Sequence, residues 1–157
     1  MEAPQWRSDV PSDTIRALGD LVATSIVGQQ EFARSLGLSM MDLICLAHVL
    51  AAGDSPVTAG DLAARAHVTT GAVTGILNRL ERGGFVTREP DPADRRRVLV
   101  AAVPAAADRV RTVYGPYYAR LTELFAQYTP AEISIVTDWF TRAAAVTRTY
   151  LEEACET

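Results

Sequence analysis

Between Thr69 and Val103 the apolar residues change period, from the spacing of a helix to that of a strand. Val73, Ile76, Leu77 and Leu80 fall on one helical face, and that run stops at Gly83-Gly84. "FVTRE" and "RVLVAAV" then alternate on either side of "PDPAD", a turn rich in proline and aspartate. A helix over about 70–82 followed at once by a two-stranded ribbon admits few folds. The ribbon's turn carries Arg95, Arg96 and Arg97 side by side.

The flanking sequence is helical. Ser/Thr, two residues, then an acid satisfies the orphan amides at a helix start, and "SMMD", "TAGD" and "TPAE" all fit it. They predict helices over about 39–52, 58–66 and 130–153. A first long helix is expected over about 12–35, where Ile15, Leu18, Val22 and Ile26 recur at helical intervals. Pro104 can open another at its first position, running to about Tyr128 with a kink at Gly115-Pro116. Two short helices in series, 58–66 and 70–82, make a helix-turn-helix, and the ribbon beside them a wing.

The predicted fold class is therefore mainly α with a small two-stranded β wing. It divides into an N-terminal helix (1–36), a winged helix-turn-helix (37–103) and C-terminal helices (104–157). The end helices leave apolar stripes that a small winged module cannot cover, Ile133, Val136, Phe140, Ala143 and Tyr150 among them, beside Trp139. The expected cover is a second copy of the chain.

At 157 residues with 48% apolar side chains the chain supports one folded core rather than a disordered segment. The start has no basic stretch leading into an apolar one, and no window reaches membrane-spanning length, so a cytoplasmic protein without a membrane partner is expected. Its net charge of -4 hides an asymmetry. Residues 65–97 hold seven arginines against four acids, whereas the rest holds eight against fifteen. A basic patch on an acidic body can dock one face on DNA. There is no lysine, and arginine is suited to planar contact with phosphates and base edges.

The block "VTTGAVTGILNRLERGGFVTREPDPADRRRVLV", with "LSMMDLICLAHVL" and "VTAGDLAARAHV" before it, resembles the MarR family of bacterial transcription regulators over nearly the whole chain. The resemblance implies a homodimeric DNA-binding regulator, a repressor released by a small aromatic or phenolic ligand, with N- and C-terminal dimerisation helices. The partners implied are double-stranded DNA with a pseudo-palindromic operator, a second copy, and that effector. Thr69, Thr70, Thr74 and Arg79 are the expected DNA contacts on the recognition helix, Thr69 doubling as its cap and Arg79 as a phosphate clamp. Arg95 and Arg96 are expected in the minor groove, oriented by Asp94. Asn78 stands where the family often has an aspartate that holds a wing arginine. Gly71 and Gly75 cost helix stability, for which close approach of the DNA backbone is a reason. Arg16, His48, Tyr114 and Tyr117 are the expected effector pocket, from helix faces.

Other classes are weaker. No phosphate loop, nucleophile elbow or helical metal motif is present, so neither catalysis, cofactor nor metal is expected. Two readings stay open beside the regulator. One is a winged-helix interaction module without specific DNA binding. The other is a redox-responsive regulator using Cys45 or Cys155, against which stands Cys45's place in the apolar run "LICLAHVL".

Overall fold

In a computed structural model, residues 11–53, 55–94 and 97–155 are described, the side chain of Cys155 excepted. Arg95 and Arg96 lie outside them. The order is α1 (Ser12–Ser35), α2 (Met40–Ala51), β1 (Val57–Thr58), α3 (Ala59–Arg65), α4 (Thr70–Arg82), β2 (Val86–Pro90), β3 (Val98–Ala102), α5 (Pro104–Phe125) and α6 (Pro130–Cys155). The chain divides into two compact units, Met1–Tyr114 and Gly115–Thr157. No single described helix is long and apolar enough to cross a membrane.

The first unit is built around one core. Phe85, Leu46, Leu62, Leu77, Leu80, Val49, Val73, Val86, Val100 and Cys45 are fully buried. They come from α2, α3, α4 and the sheet, with Ala33, Leu36 and Ala106 adding the end of α1 and the start of α5. The buried face of α4 is Val73, Ile76, Leu77 and Leu80, the face its spacing predicts. Capping boxes hold the starts of α2 and α3: Ser39 and Thr58 accept from the amides of Asp42 and Asp61, whose carboxylates accept in return. Thr69 caps α4, its hydroxyl accepting from the Ala72 amide at 3.2 Å.

Where two strands are expected from sequence, three form. β2 and β3 make the hairpin, Val86 opposite Ala102 and Pro90 opposite Val98. β1 then pairs with β3 through Val57 and Thr58, giving the antiparallel order β1-β3-β2. Two residues show no alternation, and Thr58 is at once the end of β1 and the cap of α3, so the strand is hidden inside a helix signal.

The chain leaves α4 through Gly83 and Gly84, and each glycine is there for a different reason. Gly84 has φ +69°, the left-handed region in which a side chain is strained. A Cβ on Gly83 would lie 2.9 Å from the Phe85 ring, which fills the space beneath the turn.

The second unit contains the later part of α5 and all of α6. Pro116 lies inside α5, whose helix continues through it to Phe125, short of the expected Tyr128. No described side chain of α6 is buried. Ile135, Trp139, Phe140, Val146 and Tyr150 are each 46–70% exposed.

Candidate nucleic-acid interface

With its apolar face packed inward, α4 turns Thr70, Gly71, Thr74 and Asn78 outward. Thr69 and Thr70 stand at the N-terminal end, where amides without helical partners and the helix dipole favour an anion. The Thr74 hydroxyl donates to the Thr70 carbonyl at 3.1 Å on the exposed face. Neither Gly71 nor Gly75 is demanded by packing. A Cβ at Gly71 would have the Thr69 hydroxyl 4.0 Å away as its nearest neighbour, and one at Gly75 the end of Arg79 at 3.7 Å.

The last turn of α4 is tied to three neighbouring elements. Arg79 forks onto the buried Asp42 of α2, its Nε 3.0 Å from Oδ1 and its Nη2 2.7 Å from the same oxygen. Glu81 accepts from Arg88 of β2, through Nε at 3.0 Å and through Nη2. The Gly83 carbonyl accepts from Nη1 of Arg109, on α5, at 2.8 Å, and that guanidinium stands 4.0 Å from the centre of the Phe85 ring. The recognition helix is thus pinned at its exit and open at its entry.

Burial pulls the Asp42 carboxyl upward, but hydrogen bonds from Arg79 and Ser39 together outweigh it and hold the group below its ordinary range. Asp42 is therefore ionised at neutral pH, and the stability this contributes is present above the ordinary carboxylate range and lost as pH falls through its folded value. Asp42→Asn is expected to lower stability by about 1–2 kcal/mol at pH 7, as a charge-assisted bond to a half-exposed arginine is lost. Urea unfolding at descending pH checks the sign: the gap between variant and parent should close in acid.

In the described part of the wing turn, the Asp91 carboxylate accepts from the Ala93 amide at 2.8 Å and lies 3.9 Å from the Arg97 guanidinium. Asp94, expected to orient a wing arginine, accepts from the Arg97 amide through its backbone carbonyl at 2.8 Å. Its expected pairing with Arg95 or Arg96, and that of Asn78 with Arg96, fall outside the described residues. Asn78 itself is exposed, its backbone carbonyl accepting from Nε of Arg82 at 3.1 Å.

Arg79 is exposed, its side chain 48% accessible, while two of its nitrogens are engaged by Asp42. The pair spans 37 residues, and the sequence shows Asp42 only as a capping residue. Of the expected effector pocket, Arg16 bonds Asp13 on its own helix at 2.8 Å. Tyr114 donates to Gln29 at 2.6 Å and stacks on Phe32 with ring centres 4.1 Å apart. His48 is half-buried on α2, and Tyr117 belongs to the second unit. A cleft of about 370 Å³ opens at the exit of α4, lined by Leu36, Leu38, Asp42, Arg79, Phe85 and Arg109 among others. Cys45 is fully buried, and burial, with the nearby Asp42 charge, pushes its thiol pKa up, which makes it a poor thiolate and a poor redox sensor.

A helix-turn-helix, an outward recognition face and a wing beside it define a winged-helix DNA-binding protein. Residues 36–97 match the model of the MarR family. The uncharacterized HTH-type transcriptional regulator YcgE of Bacillus subtilis is 31% identical over 152 residues, 97% of each chain. The HTH-type transcriptional repressor YetL of the same organism is 26% identical over 96 residues, 61% of this chain and 58% of its own. A mutant MepR of S. aureus bound to an oligodeoxyribonucleotide superposes with a TM-score of 0.60 at 17% identity, covering 85% of this chain and 97% of that one. The chain belongs to the MarR family and is a transcriptional regulator with a DNA-binding winged helix. That identity decides against a winged-helix module without DNA binding.

Proposed function

We propose that the chain acts as a homodimer that represses transcription by occupying a pseudo-palindromic operator, and that a small aromatic or phenolic ligand releases it. The observation that carries this reading is α4: an inward apolar face, an outward face of Thr70, Gly71 and Thr74, and an exit fixed at three points. Thr69, Thr70 and Thr74 read the major groove and its phosphates, while Arg95 and Arg96 enter the minor groove from the wing. Arg79, held by Asp42 and half-exposed, clamps a phosphate beside them. The exposed apolar faces of α1 (Leu21, Val22, Ile26, Val27) and of α6 support a dimer that covers them. Repression and DNA occupancy are also what YetL is named for and what MepR is bound to. The effector site is proposed around Arg16, His48 and Tyr114 of the first unit, and aromatic and phenolic acids are the ligands to screen.

Fluorescence anisotropy tests the reading, on duplex DNA from upstream of the chain's own gene against a scrambled duplex across a salt series. The expected result is a preference of about a thousandfold or more, with log affinity falling linearly in log salt. Equal affinity for both duplexes, persisting for duplexes drawn from a random library, contradicts it.

A further inference from the structure

We propose that Arg109 is the residue that sets the half-site spacing this regulator accepts, by locking the winged module to the start of α5. The inference rests on the dimeric DNA-binding reading above. A dimer reading two half-sites demands one spacing only if each module is held rigidly on the helix that leads away from it. In this chain that helix is α5 (Pro104–Phe125), whose start packs on the core of the first unit.

The contacts between the exit of α4 and the first turns of α5 centre on Arg109. Its Nη1 donates to the Gly83 carbonyl, and Gly83 is the residue that ends α4. Carbonyls there have no partner within the helix and carry the negative end of its dipole, so a cation is a favourable cap. The same guanidinium stands over the Phe85 ring, a cation–π arrangement with the first residue of the wing's approach. Phe85 is fully buried, and its ring lies 2.9 Å from where a Cβ on Gly83 would be, so ring and turn are closely packed. One side chain thus holds a backbone carbonyl of the recognition helix and a core ring of the wing from a third element. On α5, Ala106 is fully buried and Val110, Val113 and Tyr114 pack against the same core, so Arg109 adds a directional polar hold to an apolar seat. Arg109 touches none of the expected DNA-reading residues in the described contacts, so its effect is on geometry rather than on base contact.

The experiment measures the affinity of the full-length protein for a series of duplexes. These carry the selected half-site twice, at the preferred spacing and shifted by one and two base pairs, and once alone. Two base pairs move one half-site by about 7 Å along the axis and around it by about a fifth of a turn. The parent is expected to lose at least tenfold over that shift. Arg109→Ala is expected to flatten the loss to about threefold or less, with affinity for the single half-site unchanged. Arg109→Lys, which keeps charge without the planar fork, is expected to fall between them. An unaltered spacing profile in Arg109→Ala overturns the proposal while leaving the regulator reading intact. So does an equal loss on every duplex, single half-site included, which would make Arg109 a general support or a phosphate contact. If Arg109→Ala melts early, Arg109→Met, which keeps the stem against Phe85 and removes the charge, takes its place. Absence of any sequence-specific binding by the parent overturns both readings at once.

Discussion

A chain carrying Trp139→Asp and Val146→Asp is expected to sediment as a monomer and to bind its operator about a thousandfold or more weakly. The two residues are seven apart on α6, one face two turns on, and are 46% and 70% exposed in a single chain. No described side chain of α6 is fully buried, so the helix covers its apolar side chains only in part within one chain. Covering a large apolar side chain is worth about 1.5–3 kcal/mol, and placing a carboxylate in the same interface costs more than that gain. Losing the second subunit also makes the second half-site an independent binding event, which removes the advantage of linkage. Because both positions are exposed, the winged module itself should be untouched, with its helical circular dichroism and single half-site affinity retained. Sedimentation equilibrium and anisotropy on paired and single half-sites check this. A dimeric variant, or a monomer with undiminished operator affinity, would place the dimer surface elsewhere.

Alanine at both Gly71 and Gly75 is expected to raise stability and lower operator affinity together. Alanine is preferred to glycine inside a helix by about 1 kcal/mol, with less gain in the first turn, where Gly71 lies. The molecule itself has room: the nearest atom to either added Cβ is 3.7 Å away or more. A glycine the packing does not need, at a helical cost, on the outward face, is explained by something that must come close from outside. On DNA the two methyl groups are expected to cost about tenfold or more in affinity, which corresponds to about 1.4 kcal/mol. Thermal unfolding and anisotropy on one preparation separate the effects. A more stable variant with unchanged affinity would mean that this face of α4 does not approach DNA closely.

Much of this architecture is legible in the sequence because each signal is local. The Ser39, Thr58 and Thr129 starts, the inward face of α4 and the Gly83-Gly84 exit each depend on residues within a few positions, and helical or strand periodicity reports which side is buried. The MarR resemblance rests on the same local order. What the sequence hides is whatever depends on distance along the chain. Asp42 and Arg79 are 37 residues apart, and Arg109 is 26 beyond Gly83. Either arginine, in sequence, is only a cation available for a phosphate. β1 is hidden for the opposite reason, being two residues long and sharing Thr58 with a helix cap. The effector-pocket expectation drew on helix faces alone, which do not report that the Tyr114 hydroxyl and ring meet Gln29 and Phe32.

The central claim, that a dimer reads two half-sites through α4, is tested most directly by selecting duplexes from a random-sequence library with the full-length protein and determining the enriched motif. The expected motif is an inverted repeat whose half-site centres lie about 10 base pairs apart, bound by two chains. Enrichment of a single unrepeated motif, or of none, would contradict it.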